Sequence, residues 1–517
     1  MKVMFIYPNY KGMNMLPPAV GLLSANLKRE GHEISLFDTT YYDSVSIDRE
    51  LDQADSDESK SDRLMARPYN KPKEMQLRYT NVFDDFRSNV ESFKPDMLAL
   101  SSTEDMFHLG LQLLKTVEDL KILTIAGGVF PTFAPELVLS FPYFDIVCKG
   151  EGENALVELC RRVEDKKPYD DIKNLWVKKE NKEIIKNPTG MVNMDENPLI
   201  DMSLFEEARF YRPMGGKVYR MFPVETHRGC PYKCAFCNSP SQVKMYKDEE
   251  GKSYLRRKSF DNIRKELMFY KNEMKAEYLY FWADTFFSWK QSEFEEFAEI
   301  YQEIKLPFWC QTRPETITEK RLQLLKEIGC ARISFGLEHG NEKFRKKYLY
   351  RNMPNSVITN ALNLVSSFEI PYSVNNIIGF PFETRELVFD TIRLNKTFKA
   401  NDRNAYPFTP FTGTPLRKTC EELGFVKKTD IVRSMVASGS ILDMPQFRSS
   451  EVNALCKTFN MFVNFSEDRW PEIEKAEADT PEGEKIFEEL KEEFIETFWK
   501  EDSSFESSAS AEVSPYQ

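Results

Sequence analysis

Apolar and polar positions follow one another in two long, regular blocks of the chain. In the first block, short apolar runs bounded by turn residues predict strands, and apolar residues at helical spacing predict the helices between them. Strands that alternate with helices favour a parallel sheet, so residues 1–165 are expected to form a doubly wound, Rossmann-like α/β domain. The predicted strands are 3–7, 33–37, 97–101, 122–126 and 146–149, and the predicted helices are 19–30, 109–120 and 154–163.

Two polar or irregular segments interrupt this pattern. The stretch from about residue 41 to residue 79 contains the run DSDESKSD at 55–62, which predicts a solvated insertion. Residues 166–221 carry only mixed short strands, near 173–177 and 183–186, and are expected to be a connector between two domains.

The second block begins with a strand at 222–226 and ends with a strand at 405–408. Six strands in this block predict a partial (β/α)6 barrel over residues 222–426, with its active site at the carboxyl ends of the strands. Between the first and last strands lie four strand and helix pairs: 277–282 with 293–304, 307–311 with 319–328, 332–336 with 357–368, and 372–378 with 386–397.

Beyond the barrel the chain is helical and acidic. Helices are predicted at 453–465 and 483–500 in a C-terminal region spanning 427–501, and the Ser-rich tail 502–517 is expected to be disordered. These helices are expected to cover the open side of the barrel and shape the substrate pocket. The alternative is that they pack as an appendage without contact to substrate.

Composition narrows the functional classes. A formal charge of -12 disfavours bulk nucleic-acid binding, which needs clustered Lys and Arg. No apolar run reaches the roughly 18 residues that a transmembrane helix requires, and residues 1–8 predict a strand rather than a signal peptide. Nine cysteines, an odd and scattered set, fit a reducing compartment, so we expect the cytoplasm.

Three cysteines follow the first barrel strand at Cys-x3-Cys-x2-Cys spacing: Cys230, Cys234 and Cys237. A [4Fe-4S] cluster takes four thiolates when fully ligated, so three would leave one iron open for another ligand. The alternative is a zinc site with His227 as a fourth ligand, although a second Cys/His cluster is missing.

This spacing, with an aromatic residue before the last cysteine, resembles the signature of radical S-adenosylmethionine enzymes. The resemblance implies that the open iron chelates S-adenosylmethionine and that an electron from the cluster cleaves it to a 5'-deoxyadenosyl radical. The polar or glycine-containing ends of the later strands resemble the S-adenosylmethionine contacts of that family. By this resemblance Asp284 faces the methionyl amine, Gln311, Arg313 and Glu338 contact the ribose or carboxylate, and Ile378 and Gly379 line the adenine.

Loops after the strands of the first block resemble those of the cobalamin-binding domain that precedes the barrel in one branch of this family. The string Asp-x-His-x-x-Gly, which supplies a cobalt ligand elsewhere, does not occur, so the resemblance implies cobalamin without a histidine ligand. The candidate cobalamin contacts are Ser101, Ser102, Thr103, Gly127, Gly128, Val129, Gly150 and Glu151.

The leading hypothesis is a cobalamin-dependent methyltransferase that acts on an unactivated carbon of a small-molecule or lipid-like substrate. The family mechanism implies that one S-adenosylmethionine methylates cobalamin, while a second yields the radical that abstracts a substrate hydrogen; the substrate radical then takes the methyl group. A flavodoxin or ferredoxin is the implied electron donor. A radical cyclase or rearrangement enzyme, and a non-catalytic cobalamin sensor, stay open as alternatives. The sequence does not identify the substrate or the oligomeric state.

Overall fold

The computed structural model describes residues 1–43, 56–433 and 439–499. A seven-stranded sheet with the order β2-β1-β3-β4-β5-β6-β7 organises the N-terminal domain. The first five strands pair in parallel, which confirms the predicted doubly wound sheet. The order 2-1-3-4-5 reverses direction between β1 and β3, and a ligand crevice is expected beyond the strand ends at that point. The strands are β1 (Lys2–Tyr7), β2 (Glu33–Asp38), β3 (Met97–Ser101), β4 (Leu123–Gly127), β5 (Ile146–Cys148), β6 (Leu175–Lys178) and β7 (Ile184–Lys186).

Helices cover both faces of this sheet because its strands are apolar on both faces. Val3 and Phe5 point to one face, and Met4 and Ile6, in alternate positions, point to the other. Pro18–Arg29 and Glu153–Glu164 pack on the first face, and Val82–Phe93 and Phe107–Lys115 on the second. The remaining described helices of the domain are Ser56–Asp62, Val129–Phe133 and Pro135–Ser140.

The helix predicted at 109–120 is shorter than expected. It ends at Lys115, and a separate 3-10 turn covers Glu118–Leu120. The Thr116 hydroxyl donates to the Leu113 carbonyl (2.8 Å), a local bond that competes with helix continuation.

The second sheet is an open barrel of six parallel strands with one antiparallel strand at its edge. Its order is β16-β15-β14-β13-β12-β9-β8, and β10 and β11 form a separate small ladder beside it. The predicted partial barrel is therefore confirmed. The strands are β8 (Tyr211–Met214), β9 (Lys217–Val224), β10 (His227–Arg228), β11 (Arg256–Arg257), β12 (Tyr278–Phe281), β13 (Phe308–Thr312), β14 (Cys330–Glu338), β15 (Tyr372–Ile378) and β16 (Asp402–Pro407).

Helices surround this barrel and continue into the C-terminal region. Ser449–Asn464 packs against β15, β16 and Arg385–Asn395, so it extends the wall of the barrel. None of the described helices combines the length and the apolar character needed to cross a bilayer. The helices are Ser239–Glu250, Phe260–Asn272, Gln291–Tyr301, Glu319–Glu327, Glu342–Tyr348, Asn355–Ser367, Arg385–Asn395, Pro415–Glu422, Ser449–Asn464, Trp470–Ala476 and Pro481–Phe494, followed by a π-helical turn at Ile495–Trp499.

The predicted connector is divided between the two sheets. Leu175–Lys178 and Ile184–Lys186 extend the N-terminal sheet as antiparallel strands, and Tyr211–Met214 extends the barrel sheet. The connector therefore joins the two sheets through their edges. The predicted tail at 502–517 lies outside the described residues.

The insertion predicted to be solvated, about residues 41–79, is described at 41–43 and at 56–79, and we call the second part the strap. Leu64 and Met65 are buried, and Leu64 belongs to the core of the C-terminal helices. The Asn460 side chain donates to the Leu64 carbonyl (2.9 Å), and Arg67 donates to the Trp499 carbonyl (2.8 Å). A few apolar residues therefore anchor the strap, while most of its other side chains are partly or fully exposed.

Candidate functional site

A cavity of about 510 Å³ lies where the carboxyl ends of the two sheets face each other. One wall comes from the loops after β3, β4 and β5, the opposite wall from the ends of β9, β12 and β13, and a third from connector residues 194–200. Candidate residues for both cofactors therefore share one chamber. Those that line it are Ser101, Gly127, Gly128, Val129, Gly150, Glu151, Asp284 and Gln311, together with Gly229 of the cysteine loop.

The cavity continues as an apolar slot beside the N-terminal sheet. Its floor includes Phe5, Ala99 and Ile125, one from each of three neighbouring strands, and its other side includes Leu22 and Leu156 of the two helices on that face. Ala99 leaves room where a larger residue would close the slot. The site can therefore hold a bulky ligand that has both a broad part and a narrow apolar arm.

Glycines shape the cavity wall at the end of β4. A side chain at Gly127 would begin in open space, with only the Cβ of Cys148 within 4 Å, at 3.8 Å. Gly128 has a φ of 108°, and a Cβ there would meet the Ser102 carbonyl oxygen at 2.5 Å. Gly128 is thus required by both its backbone conformation and the close approach of the neighbouring loop.

The structure places Ser102 and Thr103 outside the cavity, unlike the other predicted cobalamin contacts. The Ser102 hydroxyl donates to the Thr103 carbonyl (2.7 Å), and the Thr103 hydroxyl donates to Asp105 (2.6 Å). The adjacent buried Glu104 accepts hydrogen bonds from the Thr412 backbone and hydroxyl (2.7 and 3.0 Å). This loop therefore links the N-terminal domain to the end of the barrel. The sequence pattern of a polar strand end does not predict such an interdomain contact.

Glu151 is engaged in an ion-pair network that joins the two domains. Arg228, two residues before Cys230, donates to Glu151 (2.7 Å) and also contacts Glu153 (2.7 Å) and Glu225 (3.0 Å). Burial alone would lower the pKa of Arg228, but the three carboxylates raise it well above its usual value. The guanidinium therefore stays charged and fixes the loop after β5 to the start of the cysteine loop.

The three cysteines of the predicted cluster site lie in a loop stabilised by hydrogen bonds to sulfur. Arg313 Nη1 donates to Cys234 Sγ (3.1 Å), and the Ser239 amide donates to Cys237 Sγ (3.4 Å). Burial raises the pKa of Cys230 to about 11 and that of Cys237 to about 12, so metal binding has to displace their protons. Donors of this kind stabilise thiolates and tune the potential of an iron–sulfur site.

His227 is not available as a zinc ligand because both ring nitrogens are already bonded. Nδ1 lies 2.9 Å from the Thr226 hydroxyl, and Nε2 lies 2.9 Å from the Thr285 carbonyl and 2.8 Å from the Ser288 hydroxyl. Within residues 1–43, 56–433 and 439–499, no three His, Cys, Asp or Glu side chains are grouped to hold a single metal ion. The donor set fits a cluster, in which each thiolate binds a different iron, better than it fits one zinc ion.

Two arginines connect Cys234 to the predicted S-adenosylmethionine contacts. Arg313 also stacks on the Tyr232 ring, 3.7 Å from its centroid. Arg351 Nη1 lies 3.7 Å from both Cys234 Sγ and the Glu338 carboxylate. Burial raises the pKa of Glu338, although both arginines act in the opposite direction. Glu338 has a φ of 71°, a strained conformation of the kind that accumulates at functional sites.

The remaining predicted contacts fall into two groups. Asp284 and Gln311 line the cavity, and desolvation by the surrounding protein raises the pKa of Asp284. Ile378 is fully buried and, like Gly379, lies away from the cavity wall. The Gly379 amide donates to Glu383 (2.6 Å). The roles assigned to these four residues stay predictions.

Three residues near the site were not identified from the sequence. Arg228 belongs to the cysteine motif and could have been noticed there. Arg351 is 117 positions from Cys234 and gives no local signal. Trp282, at the end of β12, is 41% exposed and lines the cavity, and only its position before Asp284 hints at this.

Comparison with known proteins agrees with this arrangement. A B12 binding domain model matches residues 73–160, and a Radical SAM superfamily model matches residues 224–394. An uncharacterized methyltransferase of Pyrococcus horikoshii is 27% identical over 343 residues, which are 65% of this chain and 71% of the relative. The anaerobic magnesium-protoporphyrin IX monomethyl ester cyclase of Rubrivivax gelatinosus is 23% identical over 447 residues, 82% of this chain and 70% of the relative.

A solved structure shares the whole architecture. It is that of the cobalamin-dependent S-adenosylmethionine radical enzyme OxsB with aqua-cobalamin and S-adenosylmethionine bound, with a TM-score of 0.62 and 16% identity. The match covers 98% of this chain and 71% of that one. The two family models, in this order along the chain, lead to one assignment: the chain carries a B12-binding domain followed by a radical S-adenosylmethionine domain.

Proposed function

We propose that this enzyme is a methyltransferase that uses cobalamin, a [4Fe-4S] cluster and S-adenosylmethionine to methylate an unactivated carbon of a small-molecule or lipid-like substrate. The observation that carries the proposal is the single cavity bounded by both sets of strand ends. A methyl carrier and a radical source have to reach the same substrate atom, and a shared chamber permits this.

The N-terminal wall fits cobalamin. Gly127, Gly128 and Gly150 leave the wall free of side chains for the broad corrin ring, and the slot over Ala99 and Ile125 suits the aromatic base at the end of its nucleotide arm. Ser102 and Thr103 would support this wall from behind rather than touch the cofactor. Because the Glu151 carboxylate is bonded to Arg228, Glu151 would contact the cofactor mainly through its backbone.

Cys230, Cys234 and Cys237 would hold the cluster, and Arg313 and Arg351 would place positive charge beside Cys234. When bound, these cofactors supply a reductive source of the 5'-deoxyadenosyl radical and a carrier for the methyl group. Asp284 and Gln311, which face the cavity, would orient S-adenosylmethionine by hydrogen bonds.

Trp282 would separate the substrate from bulk water on the barrel side. Its ring lies at the cavity wall beside Asp284, where an aromatic side chain supplies a broad apolar surface. Exclusion of water and oxygen protects a radical from side reactions.

Anaerobic reconstitution with iron, sulfide and hydroxocobalamin tests this function. The enzyme is then incubated with dithionite and S-adenosylmethionine that carries a deuterated methyl group. Deuterated methylcobalamin is expected even without substrate, and its absence would exclude methyl transfer. With an extract of the source cells as substrate, equal yields of 5'-deoxyadenosine and S-adenosylhomocysteine are expected.

The similarity to a cyclase supports a second candidate, a cobalamin-dependent radical cyclisation or rearrangement. That reaction predicts 5'-deoxyadenosine without S-adenosylhomocysteine. A cobalamin sensor predicts neither product. The three outcomes separate the two enzyme functions from a binding function in one assay.

A further inference from the structure

The segment after β14 is strongly basic although the protein as a whole is acidic. Residues 342–351 (EKFRKKYLYR) contain five cations and one carboxylate, against a net charge of -12 for the chain. Arg345 points inward and donates to the carbonyls of His339 and Met353 (2.5 and 2.7 Å). The three lysines of this segment are exposed, and none forms an ion pair with another described residue; they are Lys343, Lys346 and Lys347.

Exposed aromatic side chains lie beside these lysines. Tyr350 is 58% exposed and Phe382 is 40% exposed, and the ring of Phe382 stacks on Tyr348 at 4.9 Å. Tyr350 and Phe382 have φ angles of 55° and 70°, which cost roughly 1–2 kcal/mol each for a non-glycine residue. Aromatic rings that stay exposed on a strained backbone contribute little to the stability of the fold. They are therefore suited to the recognition of another molecule.

This surface lies directly outside the cysteine loop. The Ala235 amide donates to the Leu349 carbonyl (3.1 Å), and Arg351 approaches Cys234 Sγ at 3.7 Å. Lys233, the exposed residue just before Cys234, adds a further positive charge. None of these residues lines the cavity among the described parts of the chain. A partner bound here would come close to the cluster without obstructing the substrate chamber.

We propose that Lys233, Lys343, Lys346, Lys347, Tyr350 and Phe382, the basic aromatic patch, form the docking surface for an acidic one-electron carrier protein. The inference rests on the proposed function, which requires reduction of the cluster. In each encounter one electron passes from the reduced carrier to the oxidised cluster, so the carrier is oxidised and the cluster reduced, with no bond formed or broken. The lysines attract the acidic carrier, and the aromatic rings provide a small apolar contact suited to a transient complex.

The test compares two reductants on the fully reconstituted enzyme. One is a reduced bacterial flavodoxin with its reductase, and the other is dithionite, a small chemical reductant. The charge-reversal variant is Lys343→Glu/Lys346→Glu/Lys347→Glu. The matched control, Lys115→Glu/Lys252→Glu/Lys399→Glu, makes the same charge change at exposed lysines elsewhere. The readout is the initial rate of 5'-deoxyadenosine formation.

Charge reversal in the patch is expected to lower the flavodoxin-supported rate about tenfold or more, while the dithionite-supported rate changes less than about twofold. For the wild type, raising salt from about 50 to about 500 mM is expected to slow only the flavodoxin reaction. Tyr350→Ala is expected to show the same selectivity for the protein donor.

Equal flavodoxin-supported rates in the patch variant and the control would overturn the proposal. Equal losses with both reductants would also overturn it, since the lysines would then support the cluster loop itself. If the wild type forms no 5'-deoxyadenosine even with dithionite, the proposed function fails instead, so the two failures are distinguishable.

Discussion

Arg228 gives the sharpest test of how the two domains are joined. The substitution Arg228→Met keeps most of the side-chain length but removes the charge that pairs with Glu151, Glu153 and Glu225. The side chains of Glu151 and Glu153 are only 4% and 6% exposed, so water cannot replace the lost partner. Removing one member of a buried ion pair costs about 3–5 kcal/mol, and this loss is expected in the free energy of unfolding.

The effect should depend on pH. Burial alone would raise the pKa of Glu225, but Arg228 and Lys258 hold it below its usual value. A carboxyl with a depressed pKa stabilises the fold above its unfolded pKa of about 4.3, and that stability is lost as the pH falls through the folded pKa. In the variant Glu225 loses the strongest of the charges that lower its pKa, so that pKa rises and the stability deficit is expected to shrink as the pH falls through about 4.3.

Urea unfolding of the cofactor-free protein, followed by circular dichroism, measures both effects. Samples at about pH 7.5 and about pH 4 lie on either side of the unfolded pKa of glutamate and away from the isoelectric point of about 5.3. The control Arg264→Met removes a surface pair with Glu303, which water screens, and should leave the midpoint unchanged. If Arg228→Met unfolded with the wild-type midpoint, or with a deficit independent of pH, the role assigned to Arg228 would be wrong.

Three further predictions concern the cavity and the cluster. Gly128→Ala is expected to lose about 1–3 kcal/mol of stability and to bind cobalamin more weakly, measured by thermal unfolding and equilibrium dialysis; Gly31→Ala, at a φ of 86° with open space around it, should affect only stability. Cys234→Ala should abolish 5'-deoxyadenosine formation and the charge-transfer absorbance of the reconstituted cluster, whereas Cys456→Ala, in the C-terminal core, should retain both. Trp282→Ala should leave the free energy of unfolding within about 0.5 kcal/mol of wild type but lower the yield of S-adenosylhomocysteine per 5'-deoxyadenosine, because a less shielded radical is lost to side reactions; an unchanged ratio would refute the shielding role.

The regular elements could be predicted because each follows a local pattern. Strands β1 to β5 alternate with helices, apart from the insertion between β2 and β3, and Cys230, Cys234 and Cys237 follow a barrel strand directly. The carboxyl ends of parallel strands share one rim, so cavity residues such as Asp284 and Gln311 could be located from strand ends alone.

Long-range contacts could not be predicted in the same way. Arg351 reaches Cys234 across 117 positions, and the Glu151 carboxylate forms ion pairs with Arg228 and Arg256 of the barrel domain. Polar strand ends indicate that a residue lies near the rim, but not whether it binds a ligand or fixes a neighbouring loop. The hydroxyls of Ser102 and Thr103, for example, donate hydrogen bonds within their own loop.

The strap can complete its contacts only late in the synthesis of the chain. Leu64 and Arg67 bond to Asn460 and Trp499, which are 396 and 432 positions later in the sequence. Domains generally fold in order as they leave the ribosome, yet these partners are synthesised about 400 residues after the strap. Until then the apolar side of the strap has nothing to cover it, so the nascent N-terminal half is exposed to aggregation. The strap and the C-terminal helices therefore stabilise each other, and removing the helices from Ser449 onward should lower the yield of folded protein even though none of their described residues lines the cavity.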